Sequence, residues 1–206
     1  MAPSQARGAH GRIDPGRYRD VDPEPTRKSP APSPAPAAGP RDLTISAMTA
    51  ADWPAVARIY AAGVAGGDAT FEHAVPSWEQ WSSARVLDPR LVARESGEVL
   101  GWAALSLTSA RAVYRGVAEV SVYVDPAFAR RGIGRALLQA LVEDSERAGF
   151  WTLTAGVFPE NEASIALHER CGFELVGVRR RVGQMRDGRW RDVALYERRS
   201  AVVGAG

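Results

Sequence analysis

A single cysteine, Cys171, stands in 206 residues, so no intramolecular disulfide can form and no cysteine-based metal cluster can be built. Histidine is almost as scarce. His10, His73 and His168 lie far apart without ligand spacing, which argues against a structural zinc site, and no metal is expected. No apolar run is long enough to span a bilayer, and the first residues lack the apolar core of a secretory signal; the expectation is a cytoplasmic protein that does not engage membranes. An excess of one charge is also missing. Residues 1–40 carry six basic and four acidic side chains, which leaves 20 of each sign from residue 41 onward. A neutral body offers no electrostatic footprint for nucleic acid.

Proline is unevenly spread. Nine of the 14 prolines fall in residues 1–40, where aliphatic side chains are nearly absent, so this segment reads as a disordered, Pro/Ala-rich tail. A single folded domain is expected over 41–200, with 201–206 again without order. Within it, Arg41 to Ser46 reads as a strand, and Thr49 as the N-cap of a helix carrying Trp53, Val56, Ile59 and Tyr60 on one face. Ser77 and Gln80 have capping-box spacing for a second, short helix. Leu91–Arg94 and Val99–Leu107 form strands around the turn Glu95–Glu98. Further strands are expected at Phe150–Phe158, Phe173–Val182 and Val193–Glu197, with a helix over Asn161–Arg170. That order predicts an α/β protein with one mixed, twisted β-sheet flanked by helices.

The stretch from Glu119 to Leu141 organises the rest. Val120, Val122 and Val124 alternate with Ser121 and Tyr123 in strand fashion. Asp125-Pro126 ends the strand, and Arg130, Arg131, Gly132, Ile133, Gly134 and Arg135 lead into a helix with Leu137, Leu138, Leu141 and Val142 at helical spacing. Glycines at a helix mouth let backbone N–H groups approach an anion, and the helix dipole favours negative charge there. A phosphate-bearing ligand fits this pattern; a tight turn with surface arginines is the other reading. Neither GxxxxGK[ST] nor GxGxxG is present.

This strand, loop and helix resemble the pyrophosphate loop of the GCN5-related N-acetyltransferase (GNAT) superfamily, Q/R-x-x-G-x-G/A, with Ala129 departing at its first position. Downstream, Asn161 to Phe173 resembles the superfamily motif N-x-x-S-x-x-L-Y/H-x-x-x-G-F/Y. Thr70-Phe71-Glu72, the run Tyr114–Glu119, His168 in place of tyrosine, and Gly188-x-Trp190-x-Asp192-Val193 are similar to phosphinothricin and methionine sulfoximine acetyltransferases over residues 43–199. The resemblance implies a GNAT fold with acetyl-CoA at splayed central strands, bound by Val122, Tyr123, Val124, Arg130, Arg131, Gly132, Gly134, Arg135, Asn161 and Ser164. Asn161 can equally be a helix N-cap. It implies Glu119 as general base, and His168 as general acid or second proton acceptor, with a merely packed histidine as the alternative. Phe71, Glu72, Arg111, Tyr114 and Arg115 would line the acceptor pocket, although Phe71 could instead belong to the core. The implied function is acetylation of the amino group of phosphinothricin, methionine sulfoximine or methionine sulfone. Another amine, such as a peptide N-terminus or polyamine, and a non-catalytic acyl-CoA-binding module are the alternatives. A homodimer is the implied assembly, and Arg179-Arg180-Arg181 reads as a solvated face or a dimer contact.

Overall fold

The computed structural model describes residues 43–204; the tail expected over 1–40 lies outside them. Seven strands form one sheet in the order β1-β2-β3-β4-β5-β7-β6. They are β1 (Thr44–Ala47), β2 (Arg90–Glu95), β3 (Glu98–Leu107), β4 (Val117–Val124), β5 (Thr152–Val157), β6 (Glu174–Gln184) and β7 (Trp190–Arg199). Every neighbouring pair is antiparallel except β4 and β5. That exception follows from connectivity, because a helix rather than a hairpin joins these two strands. The helices are α1 (Trp53–Gly66), α2 (Trp78–Ser83), α3 (Ile133–Arg147) and α4 (Glu162–Arg170).

Local chemistry sets most of these boundaries. Thr49 caps a short 3-10 turn over Ala50–Asp52 that leads into α1, and the left-handed Gly67 (φ 74°) closes that helix. Ser77 and Gln80 form the reciprocal capping box of α2. Two apolar layers lie on opposite faces of the sheet. On one, α3 buries Ile133, Leu137, Leu138 and Leu141 against Leu105, Ala118 and Val120. On the other, α1 and α2 bury Val56, Ile59, Tyr60 and Trp81 against Val92, Trp102 and Ala104. Alternation along β4 therefore sends Ala118, Val120, Val122 and Val124 toward α3, and Glu119, Ser121 and Tyr123 toward α1 and α2.

Trp102 anchors the second layer. Its ring is fully buried, stacks on Tyr123 at 4.7 Å and meets Trp81 edge-on at 5.4 Å. Trp102→Ala should cost about 3–5 kcal/mol of unfolding free energy. Urea denaturation measures this, and a loss under about 1 kcal/mol would mean the layer is not packed as described.

After β7, the Ser200 hydroxyl accepts from the Val202 and Val203 N–H groups, and the Arg199 guanidinium donates to the Val203 carbonyl at 3.1 Å. One sequence expectation is corrected: the last two strands are longer than expected. They reach Gln184 and Trp190 because they pair with each other across the Arg186–Arg189 turn.

Candidate functional site

Pairing between the parallel strands β4 and β5 covers only Val117↔Thr152, Ala118↔Leu153 and Glu119↔Thr154. Beyond Glu119 the two strands separate. The Asp125 N–H donates to the Leu100 carbonyl on the β3 side. By alternation, the main-chain groups of Val122 and Val124 then face the gap, while those of Tyr123 face β3. An extended ligand can thus meet free backbone donors and acceptors on β4. The Tyr123 ring serves another wall, packing edge-on to Tyr60 at 5.0 Å.

At the far end of the gap the chain turns into α3. Gly132, at φ 80°, caps the helix, and a Cβ built on it would meet nothing within 4 Å. Its left-handed backbone and open surroundings leave the helix N-terminus accessible to an anion. Gly134 has a different function. A Cβ there would come within 3.3 Å of Leu167 and 3.5 Å of Val124, so this glycine lets α3, α4 and β4 approach closely. Arg130 and Arg135 are exposed beside the loop. Arg131 is committed elsewhere: it bonds Glu95 at 2.6 Å and lies over the Phe128 ring.

Glu119 sits at the apex of the gap. It occupies the last pair with β5 and pairs with Ser106 across to β3. Its side chain opens to solvent on the α1/α2 face, yet surrounding protein desolvates the carboxylate and raises its pKa above the ordinary glutamate range. The Arg85 guanidinium pulls in the opposite direction. Tyr60 and Tyr123 line the same face; burial lifts both phenols, and the charge of Glu72 adds to the effect. A reachable carboxylate with a raised pKa is suited to take a proton near neutral pH.

The helix α4 flanks the gap. The Asn161 Oδ1 accepts from the Ser164 N–H at 3.0 Å, and its Nδ2 donates to the Asp68 carbonyl at 2.9 Å. Asn161 is therefore the N-cap, and it also ties α4 to the α1–α2 loop, with one amide proton to spare. His168 is buried at 3% exposure. Its Nδ1 lies 2.7 Å from the Ser164 carbonyl, which can only accept, so Nδ1 carries the proton. Desolvation lowers its pKa, outweighing the opposing bond to Ser164. Nε2 is consequently a bare, buried acceptor with no partner among the described residues. The lowered pKa keeps the ring neutral near neutral pH, and Nε2 has no accessible surface.

The expected acceptor-side residues divide. Glu72 lies near enough to Tyr60 and Tyr123, on the Glu119 face of the sheet, for its charge to raise both phenols. Phe71 is wedged elsewhere, packed edge-on against Phe158 at 4.8 Å and filling the space over Gly183, where a Cβ would lie 2.4 Å from its ring. Arg111, Tyr114 and Arg115 remain exposed before β4. Arg111 lies over the Tyr114 ring, and Arg115 over that of Trp151. The arginine that does approach Glu119 is Arg85, which sequence reasoning missed. Its only local signal was a basic residue just past a short helix bearing Trp78 and Trp81. Among the described residues, no three His, Cys, Asp or Glu side chains gather as a metal site, and no helix is long and apolar enough to cross a membrane.

The chain is similar to known proteins. A phosphinothricin N-acetyltransferase of Alcaligenes faecalis is 38% identical over 161 residues, covering 75% of this chain and 81% of that protein. An L-methionine sulfoximine/L-methionine sulfone acetyltransferase of Pseudomonas paraeruginosa is 36% identical, covering 71% of this chain and 88% of that protein. The crystal structure of a GNAT superfamily phosphinothricin acetyltransferase from Sinorhizobium meliloti, in complex with acetyl-CoA, matches with a TM-score of 0.72 at 34% identity. That match covers 80% of this chain and 91% of the other. The family model described as Acetyltransferase (GNAT) family spans residues 53–173, from the start of α1 through the gap, the glycine loop and α4, and the chain belongs to that family of N-acetyltransferases.

Proposed function

We propose that this chain transfers the acetyl group of acetyl-CoA to the amino group of a small amino-acid analogue of the phosphinothricin, methionine sulfoximine or methionine sulfone type, with Glu119 as general base. The single observation that carries this reading is the position of Glu119, at the apex of the β4/β5 gap and open to the α1/α2 face. The gap and the accessible N-terminus of α3 at Gly132 fit an elongated ligand with a phosphate at one end. Acetyl-CoA supplies an acetyl thioester, which an amine nitrogen attacks while the thiol leaves.

An amino acid's ammonium is mostly protonated near neutral pH and has no lone pair for attack. Glu119 accepts that proton, directly or through one water, and its raised pKa brings its basicity closer to the task. The main-chain groups of Val122 and Val124 face the gap, where they can orient the pantetheine arm and thioester. A cytoplasmic location, where acetyl-CoA is available, is part of this reading.

The test is product identity. Incubation with acetyl-CoA and L-methionine sulfoximine, followed by mass spectrometry, should show one acetyl group on the α-nitrogen. Acetylation of spermidine or a peptide N-terminus alone would move the acceptor class.

The edge strand β6 supports the homodimer. Leu175, Val176 and Val178 are exposed along it and Trp190 is exposed on β7, so the strand buries neither face within one chain. A second copy covers this surface. Light scattering on a sizing column should give twice the chain mass, and Val176→Glu with Val178→Glu should halve it; a monomeric wild type would overturn the assignment.

A further inference from the structure

We propose that the Arg85 guanidinium anchors the α-carboxylate of the acceptor, so that the enzyme selects free amino acids by holding their acid group while Glu119 faces their amine. This rests on the proposed function, and it names the group of the acceptor that the cleft recognises.

Backbone geometry places Arg85 across β3 from Glu119. The Val86 N–H donates to the Leu105 carbonyl at 2.8 Å, which fixes Arg85 against β3 at the level of Leu105 and Ser106. Ser106 is the cross-strand partner of Glu119. Arg85 and Glu119 thus flank β3 from its two sides, two strand spacings or roughly 10 Å apart in backbone, and the Arg85 charge acts on the Glu119 carboxylate across that distance. Arg85 follows α2 directly, and Glu119 projects to the face that α2 covers. The two side chains nevertheless form no ion pair. An α-amino acid carries its ammonium and carboxylate on one carbon, and it can bridge this separation with each group toward its opposite charge.

The local charge balance also calls for an anion. Two guanidinium groups, of Arg85 and Arg90, lie over the same Trp81 ring at 5.5 and 5.6 Å. Neither is in an ion pair among the described residues. Arg90 makes four hydrogen bonds without one: it donates to the carbonyls of Val86, Ser82 and Arg85 and to the Ser82 hydroxyl. Burial lowers the Arg90 pKa, and the charge of Arg85 adds to the effect. Arg85 has no such occupation. Its Nε is buried without a partner and its side chain is half-buried. A planar fork of donors with no partner among the described residues, 5.5 Å from the centre of an indole, suits a carboxylate. Glu72, Tyr60 and Tyr123, the other titratable groups of this cleft, stand on its α1 side.

The experiment compares L-methionine sulfone with its α-carboxamide, which keeps the side chain and the amine and loses only the negative charge. Both are assayed by thiol release and by calorimetry in the presence of coenzyme A, with wild type, Arg85→Gln and Arg85→Lys. Wild type should favour the acid. At a pH above the acidic limb of both proteins, Arg85→Gln should lower kcat/KM for the acid by about 10- to 100-fold, the scale of a charged hydrogen-bond pair, while the amide changes by less than about twofold; Arg85→Lys should recover part of the loss. Removing the positive charge should also move the acidic limb of the pH profile upward, because Arg85 holds the Glu119 pKa down. Acetyl-CoA affinity reports folding and should not change. Equal loss for acid and amide, or no loss for either, would overturn the anchor. The parent reading fails differently: a wild type that acetylates spermidine but neither methionine sulfone nor its amide would refute the amino-acid acceptor itself.

Discussion

Glu119→Gln should lower kcat/KM by roughly 100- to 10,000-fold, the usual range for loss of a positioned general base, without weakening acetyl-CoA binding. The two effects separate because Glu119 faces α1 and α2, whereas the glycine loop lies at the other end of β4. The substitution keeps the shape and one hydrogen-bonding oxygen, so the last rungs of the sheet at Ser106 and Thr154 should survive. The pH dependence gives the sign. A base works only when ionised, so the wild-type rate falls as pH drops through the pKa of Glu119, which desolvation places above the ordinary glutamate value. That limb should vanish in the variant. An unchanged kcat at neutral and mildly acidic pH would remove Glu119 as the base.

Gly132→Val should weaken acetyl-CoA by about 10- to 100-fold, measured by calorimetry, and the reason is local to one residue. A β-branched residue at φ 80° costs on the order of 1–2 kcal/mol in backbone strain. In addition, the side chain would occupy the open space in front of the α3 N-terminus, where charge-assisted bonds to a phosphate contribute roughly 1.5–3 kcal/mol each. Gly134→Val is a contrasting control. Its side chain would press on Leu167 and Val124 rather than fill the ligand's space, so the loss should appear first as reduced thermal stability. Unaltered affinity in Gly132→Val would place the phosphate site elsewhere.

What could be read from the chain alone was whatever local chemistry dictates. Ser77 and Gln80 name the start of α2 because a capping box needs only its own four residues. Val120, Val122 and Val124 name a strand, and the glycines after Asp125 name a helix mouth, for the same reason. Asn161 could be read both as a helix cap and as a ligand contact, and its side chain turns out to be largely spent on Ser164 and Asp68. The acceptor side was less legible, because it is assembled across strands. Arg85 reaches Glu119 only through the bond of Val86 to Leu105, a pairing that no local pattern records. Arg131 looks like a phosphate ligand until the β2–β3 turn brings Glu95 against it. Arg111 and Arg115 sit near Glu119 in sequence, yet their guanidinium groups rest on Tyr114 and Trp151. His168 shows the same limit at the level of one proton. Its place in the motif was visible, but its tautomer is set by the Ser164 carbonyl one turn away.

The central claim is that this cleft acetylates small amino-acid analogues, and thiol release from acetyl-CoA tests it most directly. L-phosphinothricin, L-methionine sulfoximine and L-methionine sulfone are offered in parallel with lysine, spermidine and a short peptide, to wild type and Glu119→Gln. The expected result is saturable turnover confined to the first three acceptors and nearly abolished in the variant. Turnover of only the peptide or the polyamine, or equal turnover by both proteins, would contradict it.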